Sequence, residues 1–362
     1  MISDTLLKAI HRRLIRLADY DEVRLDDLIP LQGTGLAHEH IRVKGRGVLL
    51  RVPKQSQLAL SATVNLTYQA TCFERAAPGH HIPGLHAVLI PDETVPLGAL
   101  LVDEVPGRPP VLPDDLPAIM TALASIHSLP VPPAPARAPL RDHSDPVGET
   151  LHEVRLQAAF LDAAGLGAAA RRAIDEELAW AEEFRKTRAR PPSTLISFDA
   201  HPGNFLILPS GTAVLVDLEK ARYGAAGFDL AHATLYTSTT WDVAVSAVLE
   251  TSATADAYRH WLKSVPPALA EASGPWLLPM RRIMWLWSVT WCAKWRVQSR
   301  AAVTEKHIAE NAEDWSADLS ERALIDHVAN RVADYLDAGT IAAIRSEWLG
   351  DNALTALLPR QA

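Results

Sequence analysis

The segment LISFDAHPGNFLILPSGTAVLVDLEKA, residues 195–221, places a carboxylate at Asp199, an amide at Asn204 and a second carboxylate at Asp217. A carboxylate can hold an attacking hydroxyl and take its proton. Amide and carboxylate oxygens are the hard donors that magnesium prefers. Between Asn204 and Asp217 lie FLIL, a PSG turn and AVLV, the pattern of a β-hairpin that returns to the edge where it began. On that reading Asn204 and Asp217 can share one ion beside Asp199. Phosphoryl transfer on a magnesium-bound nucleotide needs such an arrangement, and a hydrophobic core does not. HPGN by itself is an ordinary turn; the weight lies in its combination with the hairpin and with the downstream VDLEKA and FDLA.

The elements that must position these residues divide the chain in two. Residues 1–20 read as a leading amphipathic helix, with Ile2, Leu6, Leu7, Ile10, Leu14 and Leu17 at helical spacing. Strands are expected near 27–32, 38–44 and 47–52, followed by a helix over 62–76 that Pro78-Gly79 ends. Two more strands follow in HAVLIPD and GALLVDEV. From Pro113 the pattern turns helical, with a proline-rich connection over 130–139 and helices near 147–164 and 167–187. After the hairpin nearly everything reads as helix, with breaks at Pro266-Pro267 and Gly274-Pro275. The layout is α+β: a small β-rich N-terminal lobe over 1–105 and a large helical C-terminal lobe over 106–362, joined near Asp103–Gly107.

Bulk properties narrow the function classes. Two lobes suit 362 residues, and 48% apolar content supports a real core. A net charge of −8, from 35 basic and 43 acidic residues, disfavours nucleic acid as the main partner. The two cysteines, Cys72 and Cys292, supply neither a disulfide framework nor a zinc motif, so a cytoplasmic setting is expected. Charges interrupt the N-terminal apolar run, and no run is long enough to cross a bilayer, so no membrane association is expected. His80, His81 and His86 are close in sequence but lack a completing Cys or carboxylate, and read as a loop rather than a metal site.

The stretch DAHPGNFLI…VLVDLEKARYGAAGFDLAHA resembles the signature of aminoglycoside phosphotransferase and choline kinase type proteins, whose usual form is H-G-D-x-x-x-x-N, then I-D-[WFL]-E, then D-L-A. The resemblance covers roughly residues 25–240 and implies a two-lobed, protein-kinase-like fold. It implies ATP and Mg2+ as cofactors and a small-molecule hydroxyl acceptor. Asp199 falls on the catalytic base within a catalytic loop over 197–204. Asn204 and Asp217 fall on the magnesium ligands, the second within a metal loop over 215–229. Asp229 falls on the Asp that supports the loop. Gly33 and Gly35 lie where the family has its nucleotide loop. Arg51 sits at the basic strand position for the α/β-phosphates, with Lys54 in reserve, and Asp103 to Val105 match the adenine-reading hinge. The sequence departs from the pattern at Ser197 and Phe198, which stand where the family has His and Gly. It departs again at Arg51, where Lys is commoner, and at Gln69, where an acid usually partners the strand cation; Glu74 is the alternative partner.

The acceptor is less legible. Trp287, Trp291 and Trp295 recur every four residues and share one helical face. They could hold a cation, although core packing is the commoner use of such a stripe. Arg281, Arg282, Lys294, Arg296 and Arg300 on the same segment would repel a cation if they faced the pocket. Glu219, on the loop leaving Asp217, could meet a bound amine or brace the loop. The acidic run from Glu305 to Glu321 reads as a solvated helix face. Only eleven residues separate Asp217 from Asp229, too few for the long activation segment that protein-substrate kinases carry. The expected activity is transfer of the γ-phosphoryl of ATP to a hydroxyl of an aminoglycoside, choline or ethanolamine, sugar or amino alcohol. The alternative is a catalytically weak nucleotide-binding pseudokinase that acts through partner contacts.

Overall fold

A computed structural model describes residues 2–31, 38–56, 58–187, 189–305 and 322–358. Gly33, Gly35 and most of the acidic run after Glu305 lie outside them. The chain opens with α1 (Asp4–Leu14), whose first turn is capped by the Ser3 hydroxyl accepting from the Leu6 amide at 3.2 Å. Strands β1 (Leu28–Leu31), β2 (His38–Val43), β3 (Val48–Pro53), β4 (Leu85–Leu89) and β5 (Ala99–Asp103) form one antiparallel sheet in the order β1-β2-β3-β5-β4. Helix α2 (Ala62–Ala76) enters between β3 and β4 in the chain.

Strand alternation gives the sheet two apolar faces. On one, Ile41, Val43, Leu50, Ala99 and Leu101 pack with Ala9, Ile10 and Leu14 of α1. On the other, Leu100 and Val102 join Leu66 and Phe73 of α2, and that core runs on into the helical part. Arg51 and His40 are register partners on adjacent strands, and Arg51 is only 5% exposed despite its charge. A buried guanidinium requires acceptors nearby, and the site supplies them.

The helical part contains α3 (Leu116–His127), α4 (Pro146–Ala158), α5 (Ala168–Arg185), α6 (Ala226–Thr234), α7 (Tyr236–Thr239), α8 (Thr251–Ser264), α9 (Pro267–Ser273), α10 (Leu277–Glu305), α11 (Arg322–Tyr335), α12 (Ala338–Leu349) and α13 (Ala353–Leu357). The hairpin forms as β7 (Phe205–Ile207) and β8 (Ala213–Leu215), with Phe205 opposite Leu215. Two features depart from expectation. The helix expected to 164 ends at Ala158, where its C-cap amide turns back to the Gln157 carbonyl. In the stretch read as helical after the hairpin, β9 (Arg222–Ala225) instead pairs antiparallel with β6 (Ser193–Ile196). RYGA is too short to announce a strand, and its partner lies far upstream. No helix of the described residues is long and apolar enough to cross a membrane.

Two basic residues of α10, Arg281 and Arg282, turn inward to acids. Arg281 is fully buried and donates from Nε to Glu347 at 2.5 Å and from Nη1 to the Thr234 hydroxyl at 2.7 Å. Glu177, also buried, takes Arg282, Arg345 and the Trp348 indole N–H. Removing one partner of a buried pair leaves an uncompensated charge and costs about 3–5 kcal/mol, against about 1 kcal/mol or less for an exposed pair. Glu347→Gln is therefore expected to lower the urea unfolding free energy by about 3 kcal/mol. Glu182→Gln, which breaks the half-exposed pair with Arg155, should leave the unfolding midpoint almost unmoved.

Candidate active site

Strand β6 delivers Ser197, Phe198 and Asp199 into a tight turn in which Phe198 adopts a left-handed φ of 57°. One carboxylate holds that turn. Asp229, fully buried in the first turn of α6, accepts from the Ser197 amide at 2.7 Å and the Phe198 amide at 2.8 Å. The same carboxylate accepts from His127 Nε2 at 3.1 Å, while His127 Nδ1 accepts from the Trp261 indole N–H at 3.0 Å. These partners define the imidazole tautomer. The Asp199 amide then bonds the Ser197 hydroxyl at 3.2 Å. Ser197 lacks the imidazole of the usual motif, but its backbone and hydroxyl still organise the turn. The Phe198 ring is enclosed by the Arg222 guanidinium, 3.7 Å from its centroid, and by Phe228, His232 and Trp287 edge-on.

Asn204 follows in a short 3-10 turn, its amide bonded to the His201 carbonyl at 2.9 Å. Its side-chain Nδ2 donates to the Asp199 carbonyl at 2.8 Å. That fixes the amide and leaves Oδ1 as its acceptor. The Asn204 carbonyl accepts from the Val216 amide at 2.9 Å, extending the β7–β8 ladder by one pair and bringing the chain at Asp217 back toward Asn204.

Arg51 reaches this loop from the sheet. Its Nη2 donates to Asp217 Oδ1 at 2.9 Å and its Nη1 to the Val216 carbonyl. Burial alone would raise the Asp217 carboxyl, but the adjacent guanidinium outweighs it and holds the group below the usual range. A chain of donors continues from Arg51. Nη2 lies 3.4 Å from His38 Nδ1, His38 Nε2 meets Gln69 Oε1 at 3.1 Å, and Gln69 Nε2 donates to Glu219 Oε2 at 3.4 Å. Burial, then the Arg51 charge, pushes His38 down to about 3, so it is neutral. Burial, then the charge of Asp217, pushes the Glu219 carboxyl well up. Glu219 Oε1 is buried without a hydrogen-bond partner.

On the other side of the loop, Lys220 Nζ donates to Asp199 Oδ2 at 2.9 Å. Burial alone would raise the Asp199 carboxyl, but Lys220, with His201 and His232, holds it well below the ordinary range.

The other residues singled out in the sequence fall as follows. Gln69, not Glu74, faces the site; Glu74 is exposed on α2, and Gln69 meets Arg51 only through His38. Lys54, the reserve cation, lies 3.9 Å from Glu39. At the hinge the Asp103 amide donates to the Gly84 carbonyl and the Glu104 amide to the Gly47 carbonyl. The Val105 amide is the hinge donor without a protein acceptor among the described residues. His81 Nδ1 bonds the Ala213 carbonyl and His86 bonds Asp103, so the three-histidine loop is dispersed among structural contacts. Trp287 and Trp291 are half-buried. Trp287 donates to Glu153 at 2.9 Å, and Trp291 packs edge-on against Trp241. Arg281 and Arg282 point away to their own acids.

Sequence reasoning did not single out His38, Lys220, Arg222, Glu153 or the bracing role of His127. His127 carried a faint signal as the His of SIHSL in the helix after the hinge; the others had none beyond proximity to the motif. The residues present fit a magnesium ion by donor chemistry: a carboxylate at Asp217, the free amide oxygen of Asn204, and an unpartnered buried carboxylate oxygen at Glu219.

The left-handed turn sets two costs against each other. A non-glycine residue there costs about 1–2 kcal/mol. Emptying a buried Phe site costs about 3–5 kcal/mol. Phe198→Gly is thus expected to destabilise by a net of about 2 kcal/mol in chemical denaturation. A variant more stable than the parent would show that strain, not packing, dominates at this position.

Comparison with known proteins identifies the family and the fold. Residues 41–264 match the model of the phosphotransferase enzyme family. No curated protein sequence matches the chain. Among solved structures, choline kinase from Cryptosporidium parvum superposes with a TM-score of 0.58 at 12% identity, over 94% of this chain and 97% of that one. The GDP complex of wild-type aminoglycoside 2'-phosphotransferase-IIIa does so with a TM-score of 0.56 at 13% identity, over 90% and 98%. A choline/ethanolamine kinase family protein from Mesorhizobium loti gives 0.52 at 15% identity, over 94% and 99%. At these identities the likeness establishes the kinase-like, two-lobed α+β fold. The family match covers more than half of the chain, and the chain belongs to the phosphotransferase enzyme family.

Proposed function

We propose that this phosphotransferase moves the γ-phosphoryl group of ATP to a hydroxyl of a small molecule, with Asp199 as the base. The observation that carries the reading is the direct linkage of the roles. Asn204 bonds the backbone of Asp199, and Arg51 pairs with Asp217 across the two parts of the molecule. The N-terminal 105 residues form the nucleotide lobe, and the Val105 amide is the donor free to meet the base. Gly33 and Gly35 keep their proposed place in the phosphate loop. Magnesium would be held by Asn204 and Asp217 and, when bound, supplies charge neutralisation at the phosphates.

Asp199 is ionised, so it can orient the acceptor hydroxyl and take its proton as the new P–O bond forms. Arg51 stays charged beside the phosphates. Trp287 and Trp291 border the acceptor side. The face of Phe198 already carries the Arg222 guanidinium, so that cation–π seat beside Asp199 is filled from within. This favours a neutral polyol over a cationic acceptor such as a quaternary ammonium alcohol. The second reading, a pseudokinase, draws on Ser197, Arg51 and Gln69. Each of these side chains has a defined partner here, which supports the enzyme reading over it.

The purified protein is expected to gain thermal stability with MgATP, and to release ADP faster with one member of a panel of sugars, amino alcohols, aminoglycosides, choline and ethanolamine. Asp199→Asn should keep the nucleotide shift and lose on the order of a hundredfold or more in acceptor-dependent ADP release. Asp217→Asn should lose the magnesium dependence of the shift. Unchanged acceptor phosphorylation in Asp199→Asn would sink the assignment, and a shift with no turnover across a broad panel would favour the pseudokinase.

A further inference from the structure

We propose that Lys220 is a catalytic residue that donates hydrogen bonds to the phosphoryl group while it is in transfer. The inference rests on the kinase reading above and extends it to a residue which that reading leaves without a role.

The placement follows from the β6–β9 pairing. Ile196 is opposite Arg222, and continuing that antiparallel register brings Lys220 level with the Phe198–Asp199 turn. A backbone turn, the Ala221 amide to the Leu218 carbonyl at 2.9 Å, faces the Lys220 side chain into the site while Leu218 is buried. The ammonium sits 2.9 Å from Asp199 Oδ2, and the two side chains retain 24% and 19% exposure. Both therefore open on the cleft, unlike Arg51 at 6%.

Donor counting separates Lys220 from the other cations of this cleft. Arg51 is committed to Asp217 Oδ1, the Val216 carbonyl and His38. Arg222 lies over the Phe198 ring and donates to the Lys220 carbonyl at 3.2 Å. An ammonium has three N–H donors. Among the described residues, Asp199 Oδ2 is the one acceptor Lys220 has, so two donors remain for a ligand.

The chemistry needs such a group. As the bond from the γ-phosphorus to the β–γ bridging oxygen breaks, its electron pair leaves with ADP. The acceptor oxygen forms the new bond, its proton passes to Asp199, and negative charge is shared over the three equatorial oxygens. Lys220 occupies Oδ2, which leaves Oδ1 of Asp199 for that proton. The remaining ammonium donors then meet the equatorial oxygens. Lys220 transfers no proton itself; it stabilises charge that is greatest in the transition state.

The test measures binding, not turnover, and needs no acceptor. The full chain is titrated with MgADP alone and with MgADP plus aluminium fluoride, a planar mimic of the transferring group, following tryptophan fluorescence. The parent is expected to bind the fluoride complex more tightly than MgADP. Lys220→Met should bind MgADP as the parent does and lose on the order of tenfold or more of the fluoride gain. Lys220→Arg should recover part of it, and Lys220→Gln replaces the Met variant if that one does not fold by circular dichroism. An equal loss for both ligands would show a purely structural ion pair and overturn the proposal, as would an unchanged fluoride gain. A parent that binds MgADP but gains nothing from fluoride overturns it too, because no donor is then aimed at the transferring group. A parent that does not bind MgADP at all sinks the nucleotide reading itself and this inference with it.

Discussion

The turn that carries Asp199 hangs from one buried carboxylate. Asp229 ties the Ser197 and Phe198 amides to the first turn of α6, and through His127 and Trp261 to α3 and α8. Hydrogen bonds from two backbone amides to one carboxylate are short and strong in a dry interior. They hold Phe198 in a conformation that a bulky side chain avoids. The position of Asp199 is therefore set by helices distant in sequence rather than by the loop that carries it.

The second constraint is the joining of the sheet to that loop. Arg51 is buried in β3, where an unpaired guanidinium would be prohibitively costly, so the loop containing Val216 and Asp217 must come to it. The Tyr68 hydroxyl adds another tie from α2, donating to the Ala221 carbonyl at 2.6 Å, and His81 adds one to the hairpin at Ala213. The sheet and the loop over 215–221 are thus linked by polar contacts as well as by the apolar core they share. Such ties can re-form around a charged ligand, because a bound phosphate offers the same guanidinium new acceptors.

The charge pattern divides the cleft. Asp199, Asp217 and Glu219 gather at the site, and each is managed differently: Asp199 by Lys220, Asp217 by Arg51, and Glu219 at the end of the Arg51–His38–Gln69 chain, where burial pushes its carboxyl up. A like-charged trio at close range cannot all ionise without partners. Arg222, drawn over Phe198, closes off an aromatic face that would otherwise invite a cation. The tryptophans that suggest an ammonium pocket in the sequence serve partly as packing, with Trp285 against Trp348 in the interior and Trp287 tied to Glu153.

The sequence by itself determined the order and types of the chemical groups. A carboxylate, an amide and a second carboxylate separated by a hairpin are encoded locally, because turn residues and strand alternation act over a few positions. The five strands with one inserted helix were legible for the same reason. The β6–β9 pairing was not, since its strands are short and remote from one another. Nor was the choice between Gln69 and Glu74. They lie about 140° apart around α2, and helical periodicity states that they differ in face without saying which face meets the sheet. Only the tertiary structure decided that Arg51 pairs with Asp217, that Lys220 pairs with Asp199, and that His127 and Trp261 brace the turn. These partners are brought together by the burial of apolar faces, and a charge in the sequence carries no record of which opposite charge that burial will place beside it.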